Sequence, residues 1–285
     1  MVRHRTDVDG CGCSRCQDVD TAVLERSLFD ALRWSGRLPV RHPSILLVFG
    51  VVAAAQASVL FVATGPVFVG ALVGVAGAFL GRGYVGVVGR GALARGQRPS
   101  GIVDPLRLVA SRFPQFCVAV AVVVSGIAAT AVVATALRSP LDTVVVAAGV
   151  PSVVADGVLL VTVAGVVLFS LLKFCFLPEA CFVGGYGPLE ALRVSWTIST
   201  VRRKTAIRIV GGFVVLLALG VAVDVHLADP TRSLTLSVRY RETTVVLRSF
   251  GFAPSAGLRF VVDLIATLLY SGVFVHEYVQ AAVDP

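Results

Sequence analysis

Long apolar runs separated by short, mostly basic intervals dominate the chain. Six of them, at 45–64, 66–88, 115–137, 153–176, 205–225 and 258–279, reach about 20 residues or more. That is the length a helix rising about 1.5 Å per residue needs to cross a hydrocarbon core of about 30 Å. Within the runs the apolar residues are consecutive rather than alternating. A segment in lipid must satisfy its own backbone hydrogen bonds, which leaves helices or closed barrels, and unalternated runs point to helices. The predicted fold class is all-α: a polytopic membrane protein of about six transmembrane helices. The interval 139–152 is the least regular. It holds either a short apolar turn at 141–150 before the fourth span or a re-entrant piece.

The polar intervals repeat. Asp30-Ala31-Leu32-Arg33 precedes the first run, Asp104-Pro105-Leu106-Arg107 the third, and Glu190-Ala191-Leu192-Arg193 the fifth. At helical spacing Leu24, Leu28, Leu32 and Ser35 oppose Arg26, Asp30, Arg33 and Arg37, and Leu106, Val109, Ala110 and Phe113 share a face. Leu189, Leu192 and Trp196 likewise stand apart from Glu190, Arg193 and Thr197. Such patterns predict amphipathic helices in the headgroup region, with Trp196 as an interface anchor. The expected architecture is three quasi-repeated hairpins, each preceded by a cytoplasmic interfacial helix. Any repeat axis would run along the membrane normal. The interval 226–257 alternates Leu234, Leu236, Val238 and Tyr240, then Val245 and Leu247, which predicts a small hairpin or a surface-hugging segment.

Residues 176–199 read FLPEACFVGGYGPLEALRVSWTIS. Pro178 is expected to end the fourth span, because it cannot continue the hydrogen-bond ladder. Gly184, Gly185 and Gly187 supply a turn, and Pro188 suits the first position of a new helix. Pro178, Gly187, Glu190, Ala191, Leu192, Arg193 and Ser195 together form an architectural motif: a helix ending in proline, a glycine-bearing turn, an EAL-Arg-x-Ser helix and another span. In this motif and in its six-span layout the chain resembles the membrane-domain family first described beside glycerophosphodiester phosphodiesterases, with its stand-alone prokaryotic relatives. The resemblance covers roughly residues 24–280. It implies an architecture and no activity, since the phosphodiesterase chemistry belongs to a separate soluble domain that these residues are not expected to hold.

Loop charge predicts orientation. Seven arginines precede the first run, five follow the second and four basic residues lie between the fourth and fifth, against none between the first and second, one between the third and fourth, and four (Arg232, Arg239, Arg241 and Arg248) between the fifth and sixth. Both termini are therefore expected in the cytoplasm of a multi-pass protein of the cell membrane. The predicted division is a flexible cysteine-containing tail (1–22), a six-span membrane domain (23–280) with an extracytoplasmic loop (226–257), and a short cytoplasmic tail (281–285). Apolar residues make up 56% of the 285 and charged residues 15%, too few for a soluble domain of ordinary composition. The net charge of +8 flanks the apolar runs instead of forming a basic domain, which argues against nucleic acid and for the lipid bilayer, or another membrane protein, as partner. No cleavable signal peptide is expected ahead of the first run.

Candidate chemistry is sparse. Cys11, Cys13 and Cys16 form C-x-C-x-x-C with His4 upstream, a spacing that can hold zinc on the tail; a tail of reduced thiols is the alternative, and no other cofactor is implied. Cys117 and Cys175 lie in apolar spans and Cys181 just past one. Gly81-Arg82-Gly83-Tyr84-Val85-Gly86 spells G-x-G-x-x-G but lacks the preceding strand of a dinucleotide site; helix packing is the expectation, as for Gly70, Gly74, Ala78 and Gly77 at small-xxx-small spacing. His276-Glu277-Tyr278-Val279-Gln280 misses the second histidine of a zinc protease helix and reads as polar tips among headgroups. Ser271 and His276 do not face one another on a helix. Asp156, Asp224 and Asp263, with Arg259, form a candidate outward-facing polar site. Lys173, Glu179 and Glu277 are candidates to pair on the inner side. The expected role is non-enzymatic, a scaffold or assembly factor binding lipid or a partner. The alternative is a small transporter or permease-like protein using the outer acids.

Overall fold

A computed structural model describes residue 19 and residues 26–52, 67–94, 101–147, 153–227, 234–240, 243–250 and 254–283; the two strands and several helix ends are described as backbone alone. The elements in chain order are α1 (Leu28–Arg41), α2 (from 44 to at least 52), α3 (Val67–Leu93), α4 (Val103–Ala147), α5 (Val153–Lys173), α6 (Leu177–Phe182), α7 (Pro188–Val201) and α8 (Arg203–Leu227). The hairpin strands β1 (Leu234–Tyr240) and β2 (Thr243–Phe250) follow, and then α9 (Pro254–Val283). Among the described residues helices make up the fold apart from one antiparallel hairpin, in the interval whose alternation predicted a hairpin or a surface-hugging segment. Its register pairs Tyr240 with Thr243 and Leu234 with Phe250, and slips by one residue after Leu236.

The described part of each of the six apolar runs falls on a helix, apart from the break at 174–176; residues 53–64 and 66 lie outside the described residues. Among the described residues two helical stretches, Val103–Arg138 and Gly157–Phe182, are long and apolar enough to cross a membrane. Each of the other four runs includes positions or side chains outside the described residues.

Three local expectations are corrected. First, Pro178 does not end the fourth span. α5 stops at Lys173, and Pro178 opens α6 in its first turn, where a missing N–H leaves no bond unmade. Second, the segment before the third run is not a separate interfacial helix. α4 runs unbroken for 45 residues, through Pro114 and Pro140 and on to Ala147, so no turn interrupts 141–147. At about 1.5 Å per residue that is roughly 68 Å, more than twice a hydrocarbon core. In its first half Pro105, Val109, Phe116 and Ala119 are buried, a face offset from the expected one: Leu106 and Ala110 are exposed and Phe113 half-buried. Third, α1 docks on protein as well as presenting a surface. Of its predicted face, Ser35 is buried and Leu28 and Leu32 pack on the core, while Leu24 lies outside the described residues; the face lies on α9. The Ser35 hydroxyl donates to the Leu269 carbonyl at 2.6 Å, and Gly272 is bare where a Cβ would strike Ser35. Val19, within the expected tail, is buried and bridges Ala94 in antiparallel fashion.

The core lies where α3, α4, α6, α7 and α9 meet. Phe116, Phe176, Phe182, Tyr186, Val273 and Phe274 are buried there. A second cluster joins Leu38, Ile45 and Phe49 to Tyr84, Val85 and Val88.

Candidate functional site

The α5–α6–α7 connection is built by the motif quoted above. The chain breaks at 174–176, and the break would strand backbone groups in an apolar setting. Ser195 on α7 closes it from both sides. Its hydroxyl donates to the Lys173 carbonyl at 3.0 Å and accepts from the Phe176 N–H at 3.2 Å. Ser199 donates to the same carbonyl at 3.2 Å. Ala191, fully buried, lets α7 approach, while Gly187 caps α7 ahead of Pro188. Gly185 holds φ +66, the left-handed region, with the Arg112 guanidinium against it. Leu192 is half-buried, whereas Glu190 and Arg193 point outward.

Polar side chains converge below this connection. Arg82 of α3 reaches the buried Glu179 carboxylate with two bonds, Nε to Oε1 at 2.8 Å and an Nη to Oε2 at 2.9 Å. The same Nη donates to the Cys175 carbonyl at 2.7 Å, and the guanidinium lies 4.1 Å from the Phe274 ring centroid. The carboxylate is thus bound bidentately, the strong form of this pair. Arg90 donates to the Val183 carbonyl at 2.9 Å and Arg112 to the Phe182 carbonyl at 2.6 Å, so two more arginines satisfy the C-terminal end of α6. On α9, Glu277 lies 3.8 Å from Arg202, which also donates to Gln280 at 2.8 Å.

The expected inner pairing of Lys173, Glu179 and Glu277 does not form. Glu179 goes to Arg82 and Glu277 to Arg202, because the break turns α6 back toward α3 and away from Lys173. Lys173 donates to Thr200 at 2.7 Å and sits 4.7 Å over the Trp196 ring. The 276–280 segment is not a set of headgroup tips either. His276, Glu277, Tyr278 and Gln280 are all buried, packed in by neighbouring helices. His276 is 0% exposed and tilts against Trp34 at 5.8 Å. Among the described residues neither of its ring nitrogens has a hydrogen-bond partner, and Nδ1 is 3.7 Å from Glu277. Ser271 donates to the Thr267 carbonyl on its own helix.

The G-x-G-x-x-G run lies inside α3, and its glycines serve contacts. Gly81 faces Phe49, Gly83 faces Phe182 and Val109, and Gly86 faces Val183. Gly77 faces Val52, and Gly74 is buried as well. Cys175 and Cys181 are buried free thiols and Cys117 is exposed. Cys181 lies in the core rather than at an interface, since α6 folds inward.

Asp156 lies near the start of α5, Asp224 near the end of α8, and Arg259 and Asp263 in the first turns of α9. All four positions are at the helix ends remote from the Arg82–Glu179 pair; their side chains lie outside the described residues. His4, Cys11, Cys13 and Cys16 also lie outside them, and the described residues contain no group of three or more metal-ligating side chains.

Sequence reading missed the Arg82–Glu179 and Arg202–Glu277 pairs. A signal existed. An arginine flanked by glycines at the end of an apolar run is expensive in lipid unless paired, so Arg82 demanded a carboxylate. Which one was decided by the fold. No family model, curated protein or solved structure matches the chain.

Proposed function

We infer that this is a multi-pass membrane protein acting without catalysis, as a scaffold or assembly factor that binds lipid or a partner membrane protein. One observation carries this reading. α4 and α5 are long, apolar and exposed along most of their length, with Val118, Val124, Val133, Leu160, Val161 and Leu168 among the outward residues. Soluble monomers seldom expose more than a few hundred Å² of contiguous apolar surface, and lipid is the solvent that accepts it. The remaining four apolar helices extend the reading to six spans in three units with both termini cytoplasmic. The motif of Pro178, Gly187, Glu190, Ala191, Leu192, Arg193 and Ser195 supports a resemblance to the family named above. The inner carboxylates support a structural use, since Glu179 spends both oxygens on Arg82.

The placement of Asp156, Asp224, Asp263 and Arg259 toward one end of α5, α8 and α9 favours a second reading, a transporter with an outward-facing acidic site. Gentle purification from native membranes, followed by mass spectrometry of everything retained, separates the two. A stoichiometric protein or lipid is expected. A retained small solute that is lost when the three aspartates become asparagine would overturn the scaffold reading.

A further inference from the structure

The geometry points to an anionic-phospholipid headgroup site at the corner where the end of α5, the outer stripe of α7 and the first turns of α8 meet. It rests on the membrane reading above and names the ligand class.

Leu189, Arg193, Trp196 and Thr200 recur every three or four residues and form one exposed stripe on α7. Leu189 is 73% exposed and Trp196 43%, although the opposite face of the same helix is fully packed. A stripe mixing large apolar side chains with a guanidinium suits neither water nor a protein core. It suits the boundary where acyl chains meet phosphates. The three elements touch one another in the fold.

Charge gives the headgroup its sign. Lys173, Arg193, Arg203, Lys204 and Arg208 stand here against Glu190 alone. Among the described residues none of the five has a carboxylate partner. Lys173 is held by the Thr200 hydroxyl and lies over the Trp196 and Phe169 rings, at 4.7 and 5.8 Å. Trp196 itself is braced by Phe169 and Phe174 at 5.7 and 5.9 Å. An ammonium fixed beside an aromatic anchor, next to unspent guanidinia, is a phosphate-recognising arrangement. Zwitterionic lipid brings its own cation and gains less from it. The inner polar cluster is different in kind, because its arginines are used on Glu179 and on backbone carbonyls.

The chain has two tryptophans, so a Trp34→Phe protein reports on Trp196 alone. The full chain would be placed in mixed micelles with phosphatidylglycerol or phosphatidylcholine carrying brominated acyl chains, at matched mole fractions. Phosphatidylglycerol is expected to quench Trp196 at a mole fraction about tenfold lower, and this preference should disappear when Arg193, Arg203 and Lys204 are changed together to glutamine. Equal quenching by both lipids overturns the headgroup site and leaves the membrane reading standing. No quenching by either overturns the headgroup site, while a chain that stays in solution without any micelle overturns the membrane reading as well. If the Trp34→Phe protein does not fold, lipid retention by the unaltered protein, read by mass spectrometry, serves in its place. Enrichment of phosphatidylglycerol supports the site. No enrichment, or an acidic protein retained instead of lipid, overturns it.

Discussion

Arg82 and Glu179 come from positions 97 residues apart and share two hydrogen bonds in a buried setting. Removing one partner leaves the other charge uncompensated, which costs about 3–5 kcal/mol for a buried pair. Glu179→Gln should therefore lower the melting temperature in detergent markedly, and an Arg82→Met, Glu179→Leu double variant should recover much of the loss. Identical melting of Glu179→Gln and the parent would show that the pair contributes nothing. His276 is the converse case. Its ring is buried and, among the described residues, has no hydrogen-bond partner on either nitrogen, so replacing it with an apolar residue of similar size removes an unfavourable desolvation. His276→Leu is expected to melt at or above the parent temperature. A fall equivalent to more than about 1 kcal/mol would mean that the imidazole's contacts with Glu277 and Trp34 outweigh that desolvation.

Among the elements, α1 depends most clearly on its ends and on its neighbour. Ser27 caps it, accepting from the Asp30 N–H at 3.3 Å, while the Asp30 carboxylate accepts from the Ser27 hydroxyl at 2.7 Å and its N–H at 3.3 Å. The Ser27 hydroxyl, then its N–H, hold the Asp30 carboxyl below its ordinary value of 3.8. A depressed carboxylate stabilises the fold above its unfolded pKa, and the contribution fades as pH falls through the folded value. Protease cutting at residues 26–41 should accordingly rise as pH drops below about 3.8, and a Ser27→Ala protein should show the weaker protection already at neutral pH. If cutting is unchanged across that interval, the capping box does not hold α1. Its docking on α9 is a separate matter of clearance. Gly272→Val should displace α1, because the new side chain meets Ser35, including its backbone. Gly126→Ala and Gly165→Ala, with open space around each, should be neutral or stabilising by up to about 1 kcal/mol, since alanine is the better helix former. Equal effects at all three sites, followed by thermal melting, would count against close approach at Gly272.

Basic residues gather at the helix ends around α6 and α7, while Asp156, Asp224 and Asp263, with Arg259 beside them, lie at the opposite ends of α5, α8 and α9. This predicts that a cytoplasm-dependent reporter fused after Pro285 is active and that one inserted near residue 235, in the hairpin, is exported. The reverse pattern would invert the topology.

The apolar helical segments, the alternation at 234–250, the Leu28, Leu32 and Ser35 face of α1 and the start of α7 at Pro188 were legible along the chain, because periodicity, proline and glycine act over a few residues; the continuity of α4 and the break at 174–176 were not. The acid of the inner cluster was visible as Glu179 and its base as Arg82, but not their union. That union depends on α6 turning inward after the break at 174–176 and on Gly83 letting Phe182 sit against α3. The role of Ser195, which appeared only as one letter of a motif, follows from α7 lying across the end of α5. The burial of His276, Glu277 and Tyr278 likewise could not be read locally, since a polar triplet at the end of an apolar run looks the same whether water or other helices surround it. Local rules determine which segments are helices and which faces are apolar; only packing decides which faces meet, and therefore which charges find each other.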